Sequence, residues 1–537
     1  MGSSLAASPV TFRPLGLYDA LEGESAPPGS CAVLQNLIPD LTTPFVWDAR
    51  PAAVTRTTFA GFTSPGVVSV AITIGDYIFG MLASNSYPGF DAPFCFNQAS
   101  GTAVPVSGGT VANLPATQAS TGPWTPPTMA VVGSKILITH PGYSGTGSNF
   151  FGVIDISTLS APAYSEANTT TTALSAVPTA VAQFNNRAYF AVGNLAWYSD
   201  VLAPTVITNS TQFLTLGASA SNIVGFCGLP IQQTQGGILS ALIGFKAEGF
   251  WQIAGDVATN NLTLNGPFTP GTMAPRTIYQ TPIGIFYMAG DGIRVIDLSG
   301  SVREAPLPGV RAPFYSCLVP SRAAAAFSNS VYRIGLQTIP YALNAVPAFV
   351  EYWYDFKANQ WSGPHSFCSD VLTPISGSFI VANNRAPGQL FRSDVTMTGT
   401  SSVIELNNTL VFRMQSTLLP DDMGMSMKSI VESQIDINFG AAQNMLTAQF
   451  LSASQGVAGN ATITSINGTY WNQFNWNQAN WSAAQYGLRT YNIDWTAPVV
   501  YKTGAFSLYG ALSAGLRIGP ARFRVEELNY MNNQVPA

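Results

Sequence analysis

Residues 180–200 read AVAQFNNRAYFAVGNLAWYSD. A short apolar run meets Asn185-Asn186, a second run returns from it, and a third run ends on Asp200. Adjacent asparagines tolerate the positive φ that tight two-residue hairpin turns require, so the stretch reads as strand, turn, strand and a further strand. The same pattern recurs on both sides. VVSVAITIGDYIFGML turns at Gly75-Asp76, MAVVGSKILITH at Gly133-Ser134, and SALIGFKAEGFWQIAGD around Ala247-Glu248-Gly249. IGIFYMAGDGIRVIDLSG turns at Asp291-Gly292, and AAAAFSNSVYRIGLQ leads into FVEYWYDFKANQWSG. Each unit is expected to close with an outer strand ending in Asp, at Asp155, Asp200, Asp297 and Asp355, whose carboxylates form turns by accepting nearby backbone N–H groups. Units of about 30–55 residues have the period of propeller blades. A row of separate β-sandwiches is the competing architecture.

Working outward, the sequence predicts an all-β chain. Residues 1–45 are Pro-rich and are expected to form an extended N-terminal arm, and residues 46–400 a β-propeller-like domain. After the polar break MTGTSSV at 396–402 the texture changes to alternating strands, so 401–537 is expected to be a β-sandwich-like platform domain. The longest apolar stretch, Val67 to Leu82, is interrupted by Ser69, Thr73, Gly75 and Asp76, which predicts a hairpin and no membrane span. The N-terminus has no basic and apolar leader, which points to synthesis in a reducing cytoplasm. The five cysteines are scattered and read as buried thiols.

Composition narrows function. Only 9% of the 537 residues are charged, with 22 Lys and Arg against 27 Asp and Glu, a net charge of −5. Soluble proteins usually carry about 25%. A polybasic nucleic-acid binder is excluded, because phosphate neutralisation needs clustered cations. Catalytic and cofactor motifs are not found. The two histidines, His140 and His365, stand apart from each other and from any cysteine and read as a strand end and a loop residue. No nucleophile elbow, phosphate loop or dinucleotide fingerprint occurs. The carboxylate pairs Asp421/Asp422 and Glu526/Glu527 are adjacent in sequence and would point to opposite faces of a strand, which does not suit a glycosidase. No cofactor, no metal and no enzymatic activity are expected.

Two segments remain as candidate interaction sites. WNQFNWNQANW places Trp471, Trp476 and Trp481 five apart, a spacing that fits neither a strand face nor a helix stripe and suggests a loop pinned onto its own or a neighbouring subunit, or a sugar-stacking surface. DDMGMSMKS places Met423, Met425 and Met427 at alternate positions, where flexible thioethers suit adaptable contacts.

In order and texture, the segments NLIPDLTTPFVWDARPA, ALIGFKAEGFWQIAGD, YQTPIGIFYMAGDGIRVID, YWYDFKANQWS and the run from the Trp/Asn repeat through YNIDWTAPVVYKTGAFSLYGALSAGLRIGPARFRVEELNY resemble the tail nozzle (tail hub, or packaged-DNA stabilisation) proteins of short-tailed bacteriophages. The resemblance implies a structural virion protein with no catalytic residues. It implies self-assembly into a hexameric ring below the head-to-tail adaptor, contact with the portal complex and with tail fibres, tailspikes or a needle, and passage of genomic DNA without sequence-specific binding. Its place would be the phage tail, after synthesis in the host cytoplasm. Such proteins often have more basic residues near the C-terminus, where this chain has Arg489, Arg517, Arg522 and Arg524. A receptor- or carbohydrate-binding tail protein and a propeller glycosidase are the alternatives.

Overall fold

A computed structural model describes residues 8–18, 26–59, 62, 65–84, 90–108, 111–112, 126–233, 237–255, 263–304, 310–339, 348–383, 388–395, 404–405, 408–419, 427–440, 445–452, 456–465 and 488–528. The chain is nearly all strand and forms a β-propeller. Among the described residues, six blades stand as separate antiparallel sheets of four or five strands. Their inner strands are Pro65–Ile74, Thr128–Val132, Ala180–Phe184, Gly225–Gln233, Tyr279–Thr281 and Val371–Ile375. Between the last two, Ala324–Ser328 is the inner strand of a further blade that belongs to a larger, ten-stranded sheet. Each inner strand touches the next, and Val371–Ile375 touches Pro65–Ile74, so the ring closes. We number the blades one to seven in chain order.

Closure explains why the sequence can be so poor in charge. Each blade buries both faces, and each core is shared by neighbours. Phe79 and Met81 of blade one pack with Ile136, Ile138 and Ile154 of blade two, and Phe151 of blade two stacks near Phe190 of blade three, centroids 4.9 Å apart. Val68 and Phe94 of blade one share a cluster with Val371, Ile380 and Leu390 of blade seven. The outermost strand of blade seven is Ala52–Thr58, from the other end of the chain, paired to Gln389–Val395. Joining an early strand to the last blade locks the ring.

The hairpin turns fall largely where the sequence places them. Asn185 and Asn186 have φ of 48° and 57°, and Asn329 and Ser330 have 48° and 63°. One turn is shifted: Ala289 pairs with Gly292, so Gly290 and Asp291 form the loop rather than Asp291 and Gly292. The aspartates end third strands, not outer ones, because a fourth strand follows in each blade. Asp155, Asp297 and Asp355 accept N–H bonds from Ser157, Ser299 and Lys357 at 2.8–2.9 Å, as turn formers do. Asp200 instead binds the side chains of Thr208 and Gln212.

The arm is not separate from the C-terminal region. Ser8–Phe12 pairs with Leu516–Leu528, which also carries Trp47–Ala49 and Met427–Phe439 in a seven-stranded sheet. Ser30–Gln35 enters the ten-stranded sheet. On one side it pairs with Val411–Ser416, which continues to Gly504–Ala511, and on the other Leu34 lies opposite Gly363 of blade six. Phe506 of the ten-stranded sheet packs on Phe12 and Phe523 of the seven-stranded one, centroids 6.4 and 5.3 Å away. The region 401–537, expected to be a β-sandwich-like platform, shares its sheets: they take strands from the arm, and one of them runs on into the propeller.

Candidate functional site

Of the candidate interaction residues, Met427 alone lies among the described residues. Trp471, Trp476, Trp481, Met423 and Met425 lie outside the described residues, as does the break at 396–402. Met427 is the half-buried first residue of Met427–Phe439, opposite Leu528.

Among the described residues, polar groups converge at several places, and three of them lie where blades or sheets meet. The first is the propeller axis. Because blade strands alternate in direction, the segments entering the inner strands lie on one face and the first hairpin turns on the other. On the entry face, Arg276 sits in the short turn Pro275–Thr277 ahead of blade five. Its Nη2 donates to the Arg322 carbonyl at 2.8 Å, ahead of blade six, and its Nη1 to the Ser69 carbonyl at 3.4 Å, in blade one. Blades five and one are not neighbours in the ring, so the guanidinium reaches across the axis on that face. Burial brings its pKa down to about 10, against the pull of Asp370, so it stays cationic at neutral pH. From the opposite face a cavity of about 470 Å³ enters between blades one, five and seven, with Thr73 and Thr373 hydroxyls 2.7 Å apart in its wall.

The second place is a buried polar knot where the arm meets blade six. Asn36 has a φ of 59° and no exposed surface. Its Nδ2 donates to the Val411 carbonyl at 2.6 Å, and its Oδ1 accepts from Arg50 Nε at 2.8 Å and Ser366 N at 3.1 Å. The Asn36 backbone N–H donates to His365 Nδ1 at 3.1 Å, which leaves the proton on Nε2, facing Ser362 Oγ at 3.1 Å. Beside it, Arg333 pairs with Glu351, both buried, and also binds Ser393. Its guanidinium lies 4.2 Å from the Trp353 ring centre and 4.8 Å from that of Phe379. The other Glu351 oxygen accepts from Ser369 Oγ at 3.2 Å.

His365 corrects the loop reading: it ends the strand Gln360–His365 and is fully buried. Burial first, then the Arg50 and Arg333 charges, push its pKa well below the ordinary value. Folding therefore favours the neutral ring. That contribution is complete above the unfolded pKa of about 6.5 and is lost as pH falls below it toward the folded value. Glu351, on the paired strand, is the facing anion. A His365→Gln variant, which cannot charge, is expected to lose less stability than the parent between pH 6.5 and 4 in urea titrations; parallel pH profiles would remove His365 as the cause.

The third place joins blades one and two. The Gly142 N–H donates to His140 Nδ1 at 2.9 Å, so Nε2 donates to Asp91 Oδ2, also at 2.9 Å, with both side chains buried. His140 does follow a strand and precede a turn. Its partner lies 49 residues away in sequence, so nothing local signals the pair. Next to it the Tyr143 and Tyr164 hydroxyls are 2.9 Å apart. Among the described residues, no three His, Cys, Asp or Glu side chains converge as a metal site would need, and no helix is long and apolar enough to cross a membrane.

Two of the C-terminal arginines are matched by carboxylates. Arg517 binds Asp40 and Asp48, and Arg522 grips both oxygens of Asp436. Burial raises the Asp40 pKa, but bonds from Thr42 and Thr43 and the Arg517 charge outweigh it and hold the group down to about 2.

No family model matches the chain, and no curated protein matches it. Among solved structures it is similar to a mutant puromycin hydrolase, at 10% identity and a TM-score of 0.34, with 68% of this chain and 61% of that one covered. It is also similar to an exo-β-1,3-galactanase from Phanerochaete chrysosporium with bound β-1,3-galactotriose, at 8% identity and a TM-score of 0.25, with 88% and 99% covered. The chain thus spans about three-fifths of the hydrolase. Both of these proteins are enzymes, which stands against the expectation of no enzymatic activity. Likeness at these TM-scores assigns it no reaction.

Proposed function

We propose that the chain is a structural subunit of a short-tailed bacteriophage tail, forming a ring-shaped nozzle that continues the DNA channel below the head-to-tail adaptor, retains packaged DNA and lets it pass on ejection. The observation that carries this reading is the ten-stranded sheet. It runs from blade six through the arm strand Ser30–Gln35 into the C-terminal strands, so one hydrogen-bonded sheet is common to propeller and platform. A subunit that must hold pressurised DNA needs that continuity, since a hinge there would yield first.

Two further features support it. Arg276 reaches across the propeller's own axis, which favours a DNA path between subunits over one through a single subunit. Arg517 and Arg522 are paired with carboxylates, which leaves fewer cations to hold phosphate and slow DNA in transit. Self-association, the portal complex and tail fibres, tailspikes or a needle are the partners this reading requires.

Electron microscopy of the purified protein and of virions is the test. Hexameric rings with an axial channel at the tail are expected. A trimeric stalk, or a monomer at every concentration together with its absence from virions, would overturn the reading.

A further inference from the structure

We propose that the axial cavity is a binding site for a neutral, polyhydroxylated ligand of hexose size. Residues of blades one, five and seven meet in its wall, and blade five neighbours neither of the others, so the cavity lies on the axis. Arg276 reaches across that axis on the entry face, and the turns after Thr73 and Thr373 border the open mouth of the cavity on the opposite face. Its volume of about 470 Å³ falls within the roughly 300–1,000 Å³ of small-molecule sites.

The lining selects the ligand chemistry. Among the described residues that line it, none is Lys, Arg, His, Asp or Glu. A charged ligand would surrender its hydration and meet no counter-charge. Hydroxyls of Thr73, Thr373, Tyr279 and Ser376 alternate with the apolar side chains of Ile72 and Ile375. Thr73 and Thr373 share one hydrogen bond, so one of their two protons and several lone pairs remain for a ligand. Burial pushes the Tyr279 pKa up to about 12, so its phenol stays a neutral donor beside a flat apolar ring. A purely apolar ligand would strand these hydroxyls, whereas a sugar presents hydroxyl edges and C–H faces in the same alternation.

Saturation-transfer NMR on the full chain tests this with methyl α-glucoside, methyl α-galactoside and methyl α-mannoside, and with glucuronate and glucosamine as charged counterparts. At least one neutral glycoside is expected to bind with a Kd on the order of millimolar, and the charged sugars not to bind. Thr373→Val and Tyr279→Phe each remove one hydroxyl with little change of shape, and each is expected to weaken binding about tenfold. Ser376→Trp, at the exposed mouth, should abolish it by covering the cavity while leaving the melting temperature unchanged. Longer oligosaccharides of the sugar that binds separate a free ligand from the terminal residue of a surface glycan: binding sensitive to Ser376→Trp indicates the glycan, and exclusion indicates the free sugar. Failure of all three glycosides to bind, or binding indifferent to Ser376→Trp and Thr373→Val, overturns the proposal. The outcome is independent of ring formation.

Discussion

Arg333→Ala lowers the stability of the protein by about 3–5 kcal/mol, because it leaves the Glu351 carboxylate buried without its paired cation. Both side chains are withdrawn from solvent. The guanidinium loses its bonds to Glu351 and Ser393 and its place between the Trp353 and Phe379 rings. Glu351→Ala is expected to cost a similar amount by stranding the arginine. The double change Arg333→Met with Glu351→Leu should cost far less than either single one, since it removes the desolvation penalty of both charges and refills the volume. Urea unfolding of the four proteins reads the cycle. A single-variant midpoint within about 0.5 kcal/mol of the parent, as for a surface change, would show that the pair is solvated and the argument wrong.

This pair also shows what a chain with 9% charge does with some of its ions. They are not all dispersed over the surface. Arg333 and Glu351, Arg276, and Asp91 with His140 occupy places where blades or sheets meet. Each is oriented by several bonds, which fixes the register of one element against the next in a way that interchangeable apolar contacts cannot. The same scarcity leaves a neutral cavity on the axis.

Blades were legible because their signal is local. Gly75-Asp76, Gly133-Ser134 and Asn185-Asn186 sit between apolar runs, and the structure turns at each. The hairpins are not equivalent, however. AVAQFNNRAYF joins first and second strands, while SALIGFKAEGFWQIAGD joins second and third. Phase within a blade depends on which strand faces the axis, and no residue type marks that. Long-range pairings were invisible for the same reason: Ser8–Phe12 beside Leu516–Leu528, and Ala52–Thr58 beside Gln389–Val395, have no partner within reach in sequence. Of the buried polar sites, Arg333 and Glu351 left a trace, as single charges inside the apolar runs VYRIGLQ and FVEYWYD, which a strand buried on both faces tolerates only when they pair. Asn36 and His365 left none, because their environment is assembled from segments over 300 residues apart.

Asn36→Ala is therefore the sharper test of how the arm is fastened. Asn36 joins Ser30–Gln35 to Leu37–Pro39 in left-handed backbone, which asparagine tolerates and alanine resists by about 1 kcal/mol. Alanine also deletes an amide that bonds Val411, Arg50 and Ser366. The buried Arg50 Nε and the Ser366 N–H lose this acceptor, at about 1–3 kcal/mol for each group left unmade. The expected sum is about 3–7 kcal/mol. The loss should be local before it is global, because the amide holds the arm to both the C-terminal strand Val411–Ser416 and the end of blade six. Limited proteolysis should then cut within residues 8–59 at a concentration of denaturant where the blades still resist. Asn36→Asp keeps the acceptor for Arg50 and for Ser366 N–H but sets a carboxylate against the Val411 carbonyl, so it should fall between the parent and alanine. Asn36→Gly, which accepts the backbone angle but lacks the amide, separates the two contributions. If glycine restores the parent's resistance, backbone strain alone accounts for the effect and the amide network does not fasten the arm.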